Sequence, residues 1–488
     1  MRLKYMDDNN TYKTIMLCYP PGKLYQRGED RSQGNIEDSS ATSMRACNDL
    51  GYAAAILLKL GYCVYLKDYQ TERLSQKDLF HDIAQNNIGV VVISVTNATI
   101  FEDIALANLI KEKYGCTLIL KGSIFYNAEV QMLELLDLDS VDFLIGGEID
   151  SVIGELVEYI YKDGVSIKDI NNIYYKDNDG VMKPTKFHVW NENLDEVPFP
   201  ARHMMNNSLY VRPDTNDPMA TIQTSRGCPS KCIYCLSPDI SGKKVRFRSP
   251  QNVFEELKEC YEVYNIKNFF FKADTFTIND KWVKELCELI IHSSLYKNIQ
   301  FTANSRVRPL KQETLVLMKK AGCFTIAFGF ESGSQNTLDK IKKGTSVEEN
   351  LRAAKWAKRA HIPLYGFFMI GFPWETRSDI DKTIKHIFEI NADFIEIHIA
   401  LPYYGTKLYD LCKQSNTLSG STIGNDYFHS NTTGTKYVSK DDLIRIRKRT
   451  LLKYYLRPMY IIKKIGGSIT NPKVIKNYIH YGMKLLKN

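Results

Sequence analysis

No stretch of the chain approaches the roughly 18 consecutive apolar residues that a membrane-spanning helix requires, so no spanning segment is expected. The first ten residues, MRLKYMDDNN, carry no apolar core, and a secretory signal is not expected either. Charge of neither sign dominates: 64 Lys and Arg stand against 56 Asp and Glu in 488 residues, a formal +8. That balance gives no support to a globally basic nucleic-acid binder. A paired cysteine framework is missing too, because eleven is an odd number in a long chain. Free thiols in a reducing, cytoplasmic compartment follow. With 44% apolar and 25% charged residues the chain reads as an ordinary folded protein of about three domains.

The charge is uneven. From Lys440 to the end there are 13 Lys and Arg against two acids, a local +11, which leaves −3 for everything before it. Such a tail is either a solvated helix face that closes the neighbouring fold or a contact for an anionic substrate or membrane surface.

Residues 1–160 alternate short apolar runs with amphipathic stretches. Strands are expected at Thr14–Cys18, Cys63–Leu66, Val90–Val95, Thr117–Leu120 and Asp142–Ile145, and helices at Tyr52–Leu60, Phe101–Lys111 and Val130–Leu136. This is the pattern of a flavodoxin-like α/β domain, whose ligands sit at the carboxyl ends of the strands. Residues 161–218 break it. Asn172–Tyr175 and Val181–Lys183 flank Lys176-Asp-Asn-Asp-Gly180 as a hairpin, and the two prolines of Asn193-Leu-Asp-Glu-Val-Pro-Phe-Pro200 mark an extended linker. Over 219–411 six longer strand–helix units follow, with strands at Thr221–Thr224, Phe269–Lys272, Gln300–Ala303, Thr325–Phe328, Tyr365–Ile370 and Phe394–Ile399. Six units fit an open, partial (βα)6 barrel with its site at the carboxyl ends of the strands. Residues 412–488 hold a Ser/Thr/Gly/Asn stretch, 415–435, expected to be a mobile loop, and the basic helical extension.

Eight of the cysteines, Cys18, Cys47, Cys63, Cys116, Cys260, Cys287, Cys323 and Cys412, are spread along the chain and read as small buried hydrophobes. The other three are Cys228, Cys232 and Cys235, spaced C-x3-C-x2-C directly after the first barrel strand. Random placement of eleven cysteines gives roughly 0.005 such matches. A zinc site closes with four protein ligands, and no fourth His or Cys lies nearby. Three thiolates suit instead a four-iron cluster with one iron open to a small molecule.

At this point the sequence resembles the radical S-adenosylmethionine superfamily, whose motif is C-x3-C-x2-C with an aromatic residue, here Tyr234, before the last cysteine. The resemblance implies that the open iron of a 4Fe–4S cluster binds the amine and carboxylate of S-adenosylmethionine (SAM), and that an electron donor such as flavodoxin or ferredoxin triggers its cleavage to a 5′-deoxyadenosyl radical. Phe270-Phe-Lys-Ala-Asp-Thr-Phe-Thr277 stands where the family often has Gly-Gly-Glu, and Asp274 is the implied amine or backbone contact. Gly329-Phe-Glu-Ser-Gly333 implies Glu331, Ser332 and Gly333 at the methionyl and ribose portions. Met369-Ile-Gly-Phe-Pro-Trp-Glu-Thr376 implies Gly371 and Pro373 beside the adenine, with Glu375 as a cap of the next helix. Leu401-Pro-Tyr-Tyr-Gly-Thr-Lys-Leu408 also resembles family sequence, and Arg306 and Arg308 are placed to pair with a carboxylate.

The first domain resembles the cobalamin-binding domain of one branch of that superfamily, through Tyr19-Pro-Pro21, Asp49-Leu-Gly-Tyr52, Ile93-Ser-Val-Thr96, Gly122-Ser123 and Gly146-Gly-Glu148; Pro198-Phe-Pro-Ala-Arg202 resembles the branch's linker. The resemblance implies cobalamin contacts at Ser94, Thr96, Gly122 and Gly147. No Asp-x-His occurs in the chain, so no histidine from that motif is available to cobalt. The expectation is a cobalamin-dependent C-methyltransferase acting on a small molecule. A radical cyclase of the anaerobic porphyrin type and a noncatalytic cobalamin or iron–sulfur sensor are the alternatives.

Overall fold

The computed structural model describes residues 14–27, 43–126, 130–162, 164–421, 423–425, 434–466 and 472–487. Two main sheets organise them, one mixed and one all-parallel. The first is built from β1 (Thr14–Tyr19), β2 (Val64–Asp68), β3 (Ile88–Ser94), β4 (Thr117–Lys121), β5 (Phe143–Ile145), β6 (Ile173–Lys176) and β7 (Met182–Pro184), in the order β2-β1-β3-β4-β5-β6-β7. The first five strands are parallel, in the flavodoxin-like order. In β3 every residue is buried, as an all-apolar run between two helical layers requires. The hairpin β6–β7 does not stand apart: it adds to the edge of this sheet as two antiparallel strands.

The second sheet comprises β8 (Met219–Gln223), β11 (Asn268–Lys272), β12 (Gln300–Ser305), β13 (Cys323–Glu331), β14 (Leu364–Ile370) and β15 (Phe394–Ile399). All are parallel and ordered as in sequence. This is the open partial barrel. Between β8 and β11 lies a two-residue antiparallel ladder, β9 (Ser225–Arg226) with β10 (Arg246–Phe247). The first barrel helix, Pro250–Glu262, buries Val253, Leu257 and Cys260 as its 3.6-residue spacing demands.

The basic helix Lys440–Tyr455 closes the open side. Its Tyr455 hydroxyl donates to the carbonyl of Ile395 at 2.7 Å and accepts from the amide of Ile395 at 2.8 Å, so one side chain serves both backbone groups of the edge strand β15. Arg447 donates to the Ile397 carbonyl at 2.8 Å and the Tyr454 hydroxyl to that of Ala392 at 2.6 Å.

Several expectations need correction. Cys63 is exposed, because it sits in the turn ahead of β2 rather than in the strand. The helix expected over Val130–Leu136 spans Val130–Leu133, and the helix Gln76–Gln85 was not expected: only Leu79 and Ile83 are buried on it. The 415–435 segment is a loop among its described residues, and it is anchored. Ile423 is buried against the first domain, the Gly424 amide donates to the Asn97 carbonyl and the Asn97 side chain to the Asn425 carbonyl, both at 2.8 Å. Residues 422 and 426–433 lie outside the described residues.

Candidate active site

The three cysteines sit on the loop between β9 and β10. Gly227 opens it at φ +96°, and a Cβ there would lie 2.1 Å from the Lys244 carbonyl oxygen, so only glycine permits the turn. The Cys228 amide donates to Gly242 across the loop at 2.9 Å. Arg306 donates to Cys232 Sγ at 3.4 Å, and the Ser237 amide to Cys235 Sγ at 3.5 Å. Hydrogen bonds to sulfur are one of the levers by which a protein sets the potential of an iron–sulfur centre. Among the described residues no three His, Cys, Asp or Glu converge on one point that would hold a single metal ion. In a cubane each thiolate takes a different iron, so three separated thiols facing one cavity fit a cluster.

Both legs of this loop are gripped by the other domain. Arg226 meets Asp150 through two hydrogen bonds of 2.8 Å and Glu148 at 3.2 Å, and Arg246 meets Glu148 at 2.6 and 3.0 Å. All four side chains are at most 3% exposed. The helix Asn48–Lys59 adds a further tie. Asn48 donates to the Thr221 carbonyl in β8 at 2.6 Å, and Gly51 leaves room for Pro200 and Met205 of the linker. The linker's Arg202 is buried and paired with Glu256 at 2.6 Å.

The carboxyl ends of both sheets thereby face one cavity of about 270 Å³. Cys228, Cys232, Cys235, Asp274, Arg306 and Glu331 line its barrel side, together with Phe270, Lys272, Lys343, Phe367, Met369, His398, Tyr403 and Tyr404. Asn97, which follows β3, and Ser123, Ile124 and Tyr126, which follow β4, line the opposite side with Arg45. The Ser237 hydroxyl donates to Asp274 at 3.0 Å. Glu331 ends β13 at φ +61°, a conformation costly outside glycine, and its carboxylate receives Lys343 at 2.6 Å. Burial pushes this carboxyl up, but Lys343, joined by a hydrogen bond from Tyr234 and by His398, offsets it and holds the group below the ordinary carboxylate range. The pair passes so close to Gly329 that a Cβ there would lie 2.5 Å from Glu331 Oε1.

The other expected contacts lie behind the cavity lining. Ser332 is fully buried and bonds the Thr383 hydroxyl at 2.9 Å, and the Gly333 amide donates to the same hydroxyl at 3.1 Å. Gly371, at φ +94°, donates its amide to Glu375 at 2.7 Å, and the Pro373 carbonyl accepts from the Lys436 amide at 2.9 Å. Glu375 does not cap the next helix, a task met by Thr376 with Asp379. It is fully buried, accepts from the Gly371 and Phe372 amides and from Thr337, and burial pushes its carboxyl up to about 7. Arg308 pairs at the surface with Glu349, 3.7 Å away. In the first domain Ser94 is buried and its hydroxyl has no hydrogen-bond partner among the described residues. Its carbonyl accepts from Arg27, whose guanidinium also pairs with Asp103 at 2.7 Å. Thr96 bonds Thr99 at 3.0 Å. Gly122 packs against Val95 and Gly147 against Asn172.

Lys343, Lys272, Arg45, Tyr126 and the Glu148–Asp150 grip were not legible as site residues. Glu148 adjoins the Gly146-Gly147 pair and Arg226 and Arg246 flank the cysteine loop, which was the only local signal available.

Residues 222–387 match the family described as the Radical SAM superfamily. An uncharacterized methyltransferase of Pyrococcus horikoshii is 30% identical over 419 residues, which span 85% of this chain and 89% of that protein. The cytidylyl-2-hydroxyethylphosphonate methyltransferase of Streptomyces wedmorensis is 25% identical over 472 residues, 83% of this chain and 82% of its own. In fold the chain is similar to TsrM of Kitasatospora setae, a radical S-adenosylmethionine methyltransferase solved with cobalamin and a [4Fe–4S] cluster bound. The TM-score is 0.66 at 15% identity, over 84% of this chain and 76% of that one. On its cysteine loop, its barrel and this kinship over most of its length, the chain belongs to the radical SAM superfamily, as an enzyme of the branch in which a Rossmann-like domain precedes the barrel.

Proposed function

We propose that this enzyme is a cobalamin-dependent radical SAM methyltransferase that methylates an unactivated carbon of a small molecule, in the cytoplasm and with an electron from a flavodoxin- or ferredoxin-type donor. The observation that carries the reading is the shared cavity, with three thiols on one side and the loops after β3 and β4 of the first domain on the other. Both curated relatives named above are methyltransferases, which supports the same reading.

When bound, the cluster supplies the electron that splits SAM into methionine and a 5′-deoxyadenosyl radical, and cobalamin supplies the methyl group. The chain's own part is to hold and to exclude. Cys228, Cys232 and Cys235 would hold the cluster through three of its irons and leave one open to SAM. Asp274, oriented by Ser237, and Glu331, kept ionised by Lys343, offer acceptors to the amine and ribose. The N–H groups of Arg306 and Ser237 that meet sulfur would stabilise the added negative charge of a reduced cluster. Asn97, Ser123, Ile124 and Tyr126 would face the corrin, while Phe270, Phe367, Met369 and Tyr404 keep water from the reacting carbon.

The test is anaerobic reconstitution with iron and sulfide, followed by SAM, reductant and cobalamin. Retained cobalamin, with both 5′-deoxyadenosine and S-adenosylhomocysteine formed, is expected. Failure to retain cobalamin at saturating supply overturns methyl transfer. Cleavage without S-adenosylhomocysteine points to cyclisation or rearrangement, and a cluster without SAM cleavage to a sensor.

A further inference from the structure

The C-terminal extension leaves an apolar face uncovered. Leu456, Met459 and Ile462, spaced three apart on and just before the helix Pro458–Gly466, are 54%, 75% and 63% exposed. The following helix, Pro472–Lys487, repeats the feature with Ile479 and Met483, one turn apart and both more than half exposed. Single exposed apolar side chains are ordinary on a protein surface; a group of this kind marks a contact.

The charge along this segment has one sign, although Asp393 of the barrel edge lies against Lys463 and Lys464. From Leu443 to Asn488 the chain carries twelve Lys and Arg and no Asp or Glu. Some of these cations serve the fold: Arg447 bonds the Ile397 carbonyl, Arg457 lies 3.9 Å over the Tyr454 ring, and Lys464 lies 3.9 Å over Phe394 and pairs with Asp393. Lys448, Arg449, Lys453, Lys473 and Lys476 do not. They are exposed, and none has an ion-pair partner among the described residues.

We propose that this surface docks the enzyme peripherally on an anionic lipid bilayer. Leu456, Met459 and Ile462 would enter the headgroup boundary, while Lys448, Arg449 and Lys453 meet lipid phosphates. Charge complementarity selects this occupant. A second copy would set two segments of the same strong charge against each other across a two-fold axis, whereas an anionic leaflet attracts each cation and accepts the apolar side chains. No helix among the described residues is long and apolar enough to cross a membrane. The inference is independent of methyl transfer, since none of these residues lines the cavity.

The test is co-sedimentation of the full-length chain with phosphatidylcholine vesicles, with and without phosphatidylserine. Binding to phosphatidylserine vesicles at low salt, fading as salt rises, is expected. The variant Lys448→Gln/Arg449→Gln/Lys453→Gln should lose about fivefold in partitioning per cation removed. Met459→Ser/Ile462→Ser should lose at least about tenfold through lost apolar insertion. All five substitutions lie on exposed positions, and should the Ser variant fail to fold, the Gln variant alone decides. Absent binding at low salt, equal binding to vesicles without phosphatidylserine, or binding indifferent to both variants overturns the proposal. So does a dimer in vesicle-free buffer that Met459→Ser/Ile462→Ser dissolves, which would assign the face to a second copy.

Discussion

Arg246 reaches Glu148 through two hydrogen bonds, 2.6 and 3.0 Å long, and the two residues belong to different domains. Arg246 is in the leg of the ladder that returns from the cysteine loop, and Glu148 also takes Arg226 in the outgoing leg. The first domain therefore grips the loop that presents the thiols. Glu148→Ala leaves Arg246 buried without a carboxylate, and removal of one partner of a buried pair costs about 3–5 kcal/mol. A lower urea midpoint and reduced iron per chain after reconstitution are expected; an unchanged midpoint and full iron loading would refute the grip.

The triple variant Cys228→Ala/Cys232→Ala/Cys235→Ala should bind no cluster and cleave no SAM. The first domain has its own buried cores, so its secondary structure should persist in circular dichroism. Iron content equal to that of the native chain would dismiss the cysteine assignment.

Glu375 gives a pH dependence of defined sign. Its native carboxyl is pushed up to about 7 by burial, above the ordinary value of about 4.5 in the unfolded chain. The native state therefore holds the proton to higher pH. This group's stabilising contribution is complete below about pH 4.5 and declines as pH rises to about 7, by up to about 3 kcal/mol. Glu375→Gln keeps an oxygen for the Gly371 and Phe372 amides but cannot ionise. The stability difference between native and variant chains should shift against the native chain between about pH 5 and about pH 7.5. A difference that is flat over that window would show that Glu375 does not titrate there.

For Lys343 the sign is opposite. Lys343 holds Glu331 below its ordinary range, so the pair stabilises the fold above the unfolded carboxyl's value, and this is lost as pH falls through the native one. Lys343→Met should be destabilised by about 3 kcal/mol at neutral pH, with the gap closing on acidification. It should also raise the KM for SAM. A gap that persists into acid would place the cost in packing rather than in charge.

Tyr455→Phe removes the hydroxyl that serves both backbone groups of Ile395. An expected cost of about 1–3 kcal/mol follows from the loss of these two buried hydrogen bonds. Thermal unfolding within error of the native chain would show that another group takes over the edge.

Where the sequence dictates local structure, the expectations were met closely. Each of the six barrel strands was placed, because Phe269–Lys272 and its counterparts are short apolar runs between amphipathic helices, and the three cysteines carry their spacing in the chain itself. The helix Gln76–Gln85 escaped notice because two buried residues make too thin a stripe for periodicity to register. The site's electrostatics were hidden for another reason. Lys343 meets Glu331 from twelve residues away and Glu148 meets Arg246 from 98 away, distances at which no local pattern connects partners. Asp274 and Glu331 line the cavity, while Ser332, Gly333, Gly371 and Gly147 shape the backbone behind it.

The chain segment that leaves the barrel returns to Asn97 and buries Ile423 in the first domain's core. The two domains are thus joined covalently through the linker on one side and by this returning strap on the other, with the Glu148 grip between. A hinge opening about the linker alone would have to break both. Such coupling resists a rigid-body separation of the two domains, and a chain cut after the barrel would take Ile423 out of the first domain's core.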